Sequence, residues 1–173
     1  MKKFIMILIP RPLVAGRFII ILLGLLLLFN CASMQKVPPE ETQLQKIYEL
    51  QGMTKYVIFD RILAWIAETC ISSKSFVEFK DKENGKIIGK GVTSFLSGNG
   101  RGGIVEIPCR YTMIIDIKDN KIRLTYKNFI AMYGKNYRTI YRTRPAQYKI
   151  EIEPVKKKLT VLSDNLYNSL SKK

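Results

Sequence analysis

Val105 to Lys118 read VEIPCRYTMIIDIK, and this stretch decides the fold. Val105, Ile107, Cys109, Tyr111, Met113, Ile115 and Ile117 occupy alternate positions. Glu106, Arg110, Thr112, Asp116 and Lys118, with Pro108 and Ile114, fill the positions between. A period of two predicts a strand with one face in a core and the other toward water. A slip of one residue would expose the whole apolar set, so the register is well specified. Cys109 falls on the apolar face, where a thiol behaves as a small hydrophobe.

The pattern continues on both sides. Asp119-Asn120 closes a hairpin, and Ile122, Leu124 and Tyr126 then alternate with Lys121, Arg123, Thr125 and Lys127. Upstream, Asn84-Gly85 is a tight-turn signal joining strands near Val77–Lys80 and Lys86–Phe95. Val77 and Phe79 are expected on one face, with Glu78 and Lys80 on the other. Gly89 and Gly91 point to a bulge or a close backbone approach. Ser97 to Gly103 reads as a glycine-rich hairpin connection. A phosphate loop would open a helix, whereas a strand follows here.

Helical spacing marks two further segments. Thr54 is placed to cap a helix running to about Cys70, with Ile58, Ile62, Trp65 and Ile66 on one stripe widened by Phe59 and Leu63. Trp65 is read as core. Before this helix, Gln43 to Leu50 alternates as a first strand. After Phe129 the pattern loosens, and Tyr148, Ile150 and Ile152 hint at a short strand. Pro154 then opens a last helix over about 155–171, with Val155, Leu159, Leu162, Leu166 and Leu170 on one stripe. Lys156-Lys157-Lys158 would sit in its first turn, where the helix dipole disfavours cations. A start nearer Leu159 is favoured over an anionic surface there. The order strand, helix, four strands, helix gives an α+β two-layer sandwich, an antiparallel sheet with both helices on one face.

The N-terminal region reads as an address. Phe18 to Phe29 is a 12-residue apolar run behind Lys2, Lys3, Arg11 and Arg17, with no acid before Glu40. A spanning helix needs about 20 apolar residues, so the run suits a signal-peptide core better than a span. The basic flank keeps the N-terminus cytoplasmic and sends the rest outward. Leu28-Phe29-Asn30-Cys31 resembles a bacterial lipobox, although Asn30 and Phe29 are larger than usual there. Residues 1–30 are therefore expected to be a signal peptide and Cys31 the lipidation site. An uncleaved anchor, or cleavage after Ala32, is the alternative. Residues 31–42, containing Pro38-Pro39-Glu40-Glu41, form a tether, and 43–173 a single domain. Ala32 stands where the inner-membrane retention signal would have Asp, which favours the outer membrane in a host with two. The expected location is the cell envelope, lipid-anchored and facing the periplasm or the cell surface.

The whole chain is +15, and residues 1–30 carry four basic residues and no acid, which leaves +11 for the rest. There is no histidine, so the commonest general base and the commonest metal ligand are missing. Cys70 and Cys109 have no metal-like spacing; no metal or cofactor is expected. Outside the cytoplasm these two cysteines either pair or remain separate buried thiols. Tyr126 to Arg144 is rich in cations with interleaved tyrosines and holds no acid. Lys127, Lys135, Tyr137, Arg138, Tyr141, Arg142 and Arg144 are the residues placed for an anionic ligand. Cations beside stacking rings suit single-stranded nucleic acid, and they suit anionic headgroups or glycans equally. Export argues against nucleic acid, and a solvated basic face is the plainer reading.

The helix carrying Ala64-Trp65-Ile66, the later Ile87-Ile88-Gly89-Lys90-Gly91, and Tyr111 entering a strand that leads to Lys121-Ile122-Arg123 resemble a known group. It is a bacterial family of secreted, often lipid-anchored proteins of unknown function, described as having a TATA-box-binding-protein-like fold. The resemblance spans roughly residues 44 to 130. It implies the fold, and it brings no activity, cofactor or catalytic residue. DNA binding does not follow, because function lives in sites rather than folds. The sequence therefore leads to an envelope-anchored, non-enzymatic binding or scaffold domain. It would be held to the membrane by lipid and would meet an anionic envelope component or an envelope protein. The alternatives are an enzyme with an unrecognised serine, lysine or carboxylate site, and a structural subunit of an envelope assembly.

Overall fold

The alternation around Met113 builds the centre of an antiparallel sheet. The computed structural model describes residues 35–69, 76–98, 102–134 and 142–172. Met1–Gln35 and Lys36–Lys173 are separate units. The expected signal peptide and Cys31 lie outside the described residues, as does Cys70. The strands are β1 (Leu44–Glu49), β2 (Val77–Asp81), β3 (Lys86–Gly98), β4 (Ile104–Lys118), β5 (Lys121–Tyr133) and β6 (Arg142–Pro145). The helices are α1 (Lys55–Thr69) and α2 (Lys149–Ser171). Sheet order is β1-β5-β4-β3-β2, and β6 also pairs with β5. All pairings are antiparallel. Among the described residues no helix is long and apolar enough to cross a membrane.

One sheet face carries both helices and the core. Ile107, Cys109, Tyr111, Met113, Ile115 and Ile117 of β4 are buried in strict alternation, and Ile122, Leu124 and Tyr126 of β5 lie beside them. Val105 belongs to the same set by sequence, yet it is exposed, near the start of the strand. Ile58, Phe59, Ile62, Trp65 and Ile66 of α1 are buried in this core, as are Val155, Leu159, Leu166 and Leu170 of α2. Polar links fix the seating of α2. Tyr126 and Ser163 hydroxyls meet at 2.9 Å in the buried layer, and Tyr48 donates to Asp164 while its ring stacks on Tyr167 at 4.9 Å. Burial pushes the Tyr126 phenol up to about 12, so it stays a donor at any ordinary pH.

The β4–β5 turn also orders the start of α1. Asp119 accepts from the Lys55 amide at 2.7 Å, and Asn120, at φ +60°, exchanges hydrogen bonds with Met53. Thr54, the predicted cap, accepts from the Val57 amide at the longer distance of 3.5 Å. Much of the capping of α1 thus comes from a residue 64 positions away, invisible to local pattern.

Three expectations are corrected. Phe79 does not share a face with Val77: the register shifts between them, and Phe79 is 48% exposed. Tyr148 to Ile152 is not a strand: β6 lies earlier, and Ile150 and Ile152 are helical. Pro154 does not open the last helix, which begins five residues before it. Its missing N–H leaves the carbonyl of Ile150 without a helical partner, and Ile150 is exposed to water. Lys156 to Lys158 consequently lie beyond the first turn, and the dipole conflict disappears. The described end of the segment read as a tether packs on the domain. Lys36 bridges Tyr148, the Val37 amide donates to the Gln147 carbonyl at 2.8 Å, and Pro39–Thr42 form a 3-10 turn.

Gly89 and Gly91 resolve into close approaches. A Cβ at Gly89 would run into the Phe76 ring, and one at Gly91 into the Tyr111 ring. Each missing side chain makes room for an aromatic on the core face.

Candidate functional site

The second half of β5 departs from the alternation of its sequence because its parity changes. Thr112 pairs with Lys127 but Arg110 pairs with Ile130, so Asn128 and Phe129 together oppose Tyr111. This is a β-bulge, with Asn128 at φ +57°, a conformation that asparagine tolerates. The bulge returns Phe129 and Ala131 to the core and puts Ile130 on the open face. Its signal in the sequence is one polar residue, Asn128, interrupting the alternation.

The outer edge of β5 is shared. β1 covers Lys121 to Tyr126, β6 covers Ile130 to Tyr133, and the bulge falls between them. The docked segment Lys36–Thr42 and the turn at Ala146 close over this gap, where the Ala146 amide donates to the Phe129 carbonyl at 2.8 Å. The result is a half-open groove of about 980 Å³, within the size range of small-ligand sites. Val37, Pro38 and Pro39 form one wall, and Ile130, Pro145 and Ala146 the other. Lys36, Lys90 and Arg110 supply positive charge, and among the described residues no carboxylate lines the groove.

Charge is distributed unevenly over the open face. Asp116 pairs with Arg123 at 2.8 Å and with Lys86 at 3.8 Å. Lys90 pairs with Glu78 at 2.8 Å. Arg110 is exposed, and it and Lys36 have no ion pair among the described residues. Two cations therefore face the groove uncompensated, and Asn128 Nδ2 donates to Thr112 Oγ1 at 3.4 Å on its floor. Sequence reading placed Arg110 only on a polar strand face. The register that brings it beside Ile130 and Lys36 is tertiary information.

The predicted basic cluster divides. Lys127 is exposed opposite Thr112, beside the groove. Arg142 is exposed at the start of β6, opposite Tyr133. Arg144 turns toward the helix side and is committed within the protein. Its guanidinium lies 4.8 Å from the Tyr133 ring and 5.2 Å from the Tyr148 ring, and its Nη2 donates to Glu151 Oε1 at 2.5 Å. Glu151 is 3% exposed. It also accepts from Tyr133 Oη and from the amides of Gln147 and Tyr148. Burial alone would raise the Glu151 carboxyl; the Arg144 and Tyr133 hydrogen bonds and the two amides outweigh it and hold the group below its ordinary value. Lys135, Tyr137, Arg138 and Tyr141 lie outside the described residues.

Cys109 is a free, fully buried thiol, pushed up to about 11 first by burial and then by the Glu151 charge. Such a thiol is a poor nucleophile. Another nucleophile-like contact is Lys158 Nζ, which donates to Ser94 Oγ at 2.8 Å while Ser94 donates to Glu106. A lysine base needs a desolvated setting, whereas this lysine side chain is 51% exposed. Among the described residues no group of His, Cys, Asp and Glu is placed to hold a metal ion.

A family profile described as "Domain of unknown function (DUF4468) with TBP-like fold" matches residues 45–131. A TBP-like protein from Parabacteroides distasonis has a similar crystal structure, with a TM-score of 0.60 at 15% identity, covering 83% of this chain and 99% of that one. A DUF4468 family protein from Bacteroides ovatus gives a TM-score of 0.52 at 14% identity, covering 82% and 91%. No curated protein matches the sequence.

Proposed function

This chain belongs to the DUF4468 family of domains with a TBP-like fold, and from that premise we propose that it is a membrane-held, non-enzymatic binding module whose open-face groove takes an anionic ligand. The observation that carries the reading is the groove over the β5 bulge, lined by Lys36, Lys90 and Arg110 with no carboxylate among the described residues. A site with uncompensated cations and apolar walls repels cations and rewards an anion that also has apolar surface. Binding is favoured over catalysis because, among the described residues, the lining of the groove holds no carboxylate, cysteine or serine. The 12-residue apolar run and Cys31 support a lipid anchor in the cell envelope.

Two measurements test the two halves. Mass spectrometry of the mature N-terminus is expected to find a diacylglyceryl Cys31; an unmodified Cys31, or residues 1–30 still attached, would remove the anchor. For the groove, the full chain in neutral phosphatidylcholine nanodiscs is titrated with butyl phosphate, with butanol and inorganic phosphate as half-ligands. Arg110→Ala removes a charged hydrogen-bond donor worth about 1.5–3 kcal/mol and is expected to weaken butyl phosphate at least about tenfold. Lys157→Ala, an exposed cation on α2, is expected to leave affinity unchanged. Equal losses in the two variants would reduce the effect to overall charge and sink the groove.

A further inference from the structure

We propose that the natural ligand of the groove is the phosphate headgroup of an anionic phospholipid in the bilayer that anchors the chain, an inference that rests on the reading above. The wall of the groove is the docked segment that begins at Lys36. Only five residue steps separate Lys36 from Cys31, which span at most about 18 Å when fully extended. A chain held by lipid at Cys31 therefore keeps Lys36 within that reach of the headgroup layer in every orientation. Tethering of this kind turns a second encounter into an intramolecular one at high effective concentration.

The lining selects among anions. Pro38, Pro39 and Pro145 offer no N–H, and Val37, Ile130 and Ala146 add further apolar side chains. Along these walls a glycan's hydroxyls find few partners, the neutral polar groups of the lining being Thr42, Tyr111, Thr112, Asn128 and Gln147, and each hydroxyl left unpaired costs free energy. A phosphodiester with a glycerol and the first methylenes of its chains meets them with apolar surface. Arg110 presents a planar fork that matches phosphate geometry, and Lys36 adds a point charge. An exposed arginine beside apolar walls is the pairing that an amphiphile with an anionic head fits.

The test reads hydrogen exchange at the Val37 and Ala146 amides, which hold the two walls through the Gln147 and Phe129 carbonyls. The full chain is placed in nanodiscs of phosphatidylcholine alone, or of phosphatidylcholine with phosphatidylglycerol. When accessible anionic lipid is ten times its Kd, exchange of both amides is expected to slow about tenfold. Arg110→Glu and Lys36→Gln are each expected to remove most of that protection, and unchanged exchange at the central Ile115 amide shows that the variants remain folded. Identical exchange in the two kinds of disc overturns the proposal, and so does protection that survives Arg110→Glu. If butyl phosphate protects the amides while phosphatidylglycerol does not, the lipid assignment falls and the anion groove stands. If neither protects them, both fall.

Discussion

Glu151→Ala will destabilise the fold by about 3 kcal/mol, near the lower end of the range for breaking a buried ion pair. The substitution strands several groups at once: the Arg144 guanidinium, the Tyr133 hydroxyl and the amides of Gln147 and Tyr148. The lower end applies because the Arg144 side chain is 37% exposed and can turn to water. For a unit of this size the loss corresponds to roughly 10 °C in Tm. Glu151→Gln separates charge from shape, since it keeps an acceptor for Tyr133 and removes the carboxylate. The folded carboxyl lies below its ordinary value, so the stability that its charge contributes is complete above about pH 4.3 and is lost as pH falls through the lower folded value. Urea midpoints of wild type and Glu151→Gln are expected to differ at pH 7 and to converge in acid. A gap that stays constant with pH would show that shape, and not charge, carries the contribution.

Gly85→Ala is expected to cost about 2–5 kcal/mol, from about 1–2 for a left-handed non-glycine residue and about 1–3 for overpacking. Gly85 has φ +61°, and its carbonyl accepts from the Ile117 amide at 2.7 Å. An added Cβ would overlap the Ile117 carbonyl oxygen, which is backbone at the end of β4 and has no rotamer by which to retreat. Gly52→Ala is the matched control: Gly52 has φ +76° with open space around the missing Cβ, so only the conformational cost of about 1–2 kcal/mol applies. Equal denaturation midpoints for the two variants would show that the contact with Ile117 is not what limits Gly85.

Where the local period met a buried face, the chain could be read directly. β4 and the first half of β5 pack one side on helices, so apolar residues recur every second position and each strand is named by its own sequence. α1 is similar at its own period. Legibility fails where geometry inserts an exception. The Asn128 bulge shifts the parity of β5, and the bulge in β2 exposes Phe79. At α2, Pro154 mimics a helix start, whereas the true start is held by Glu151 reaching back to the amides of Gln147 and Tyr148. The groove was illegible for a different reason. Its cations come from three places, the Lys36 segment, β3 and β4, and only strand register and the docked segment bring them together. The cation-rich stretch after Tyr126 was conspicuous in sequence, yet one of its arginines serves an internal carboxylate.

The sharing of one edge of β5 by β1 and β6 has a consequence for how the chain acquires its structure. The meander β2–β3–β4–β5 forms from neighbours in sequence and pays little for loop closure. Among the described residues β1 has no other strand partner, and its register runs from Leu44 opposite Tyr126 to Glu49 opposite Lys121. A chain synthesised from its N-terminus must therefore hold Leu44, Ile47 and Tyr48 unpaired until β5 is available. The N-terminal strand is made early and seated late, and the groove, whose wall hangs from that same end of the chain, exists only once the last layer is in place.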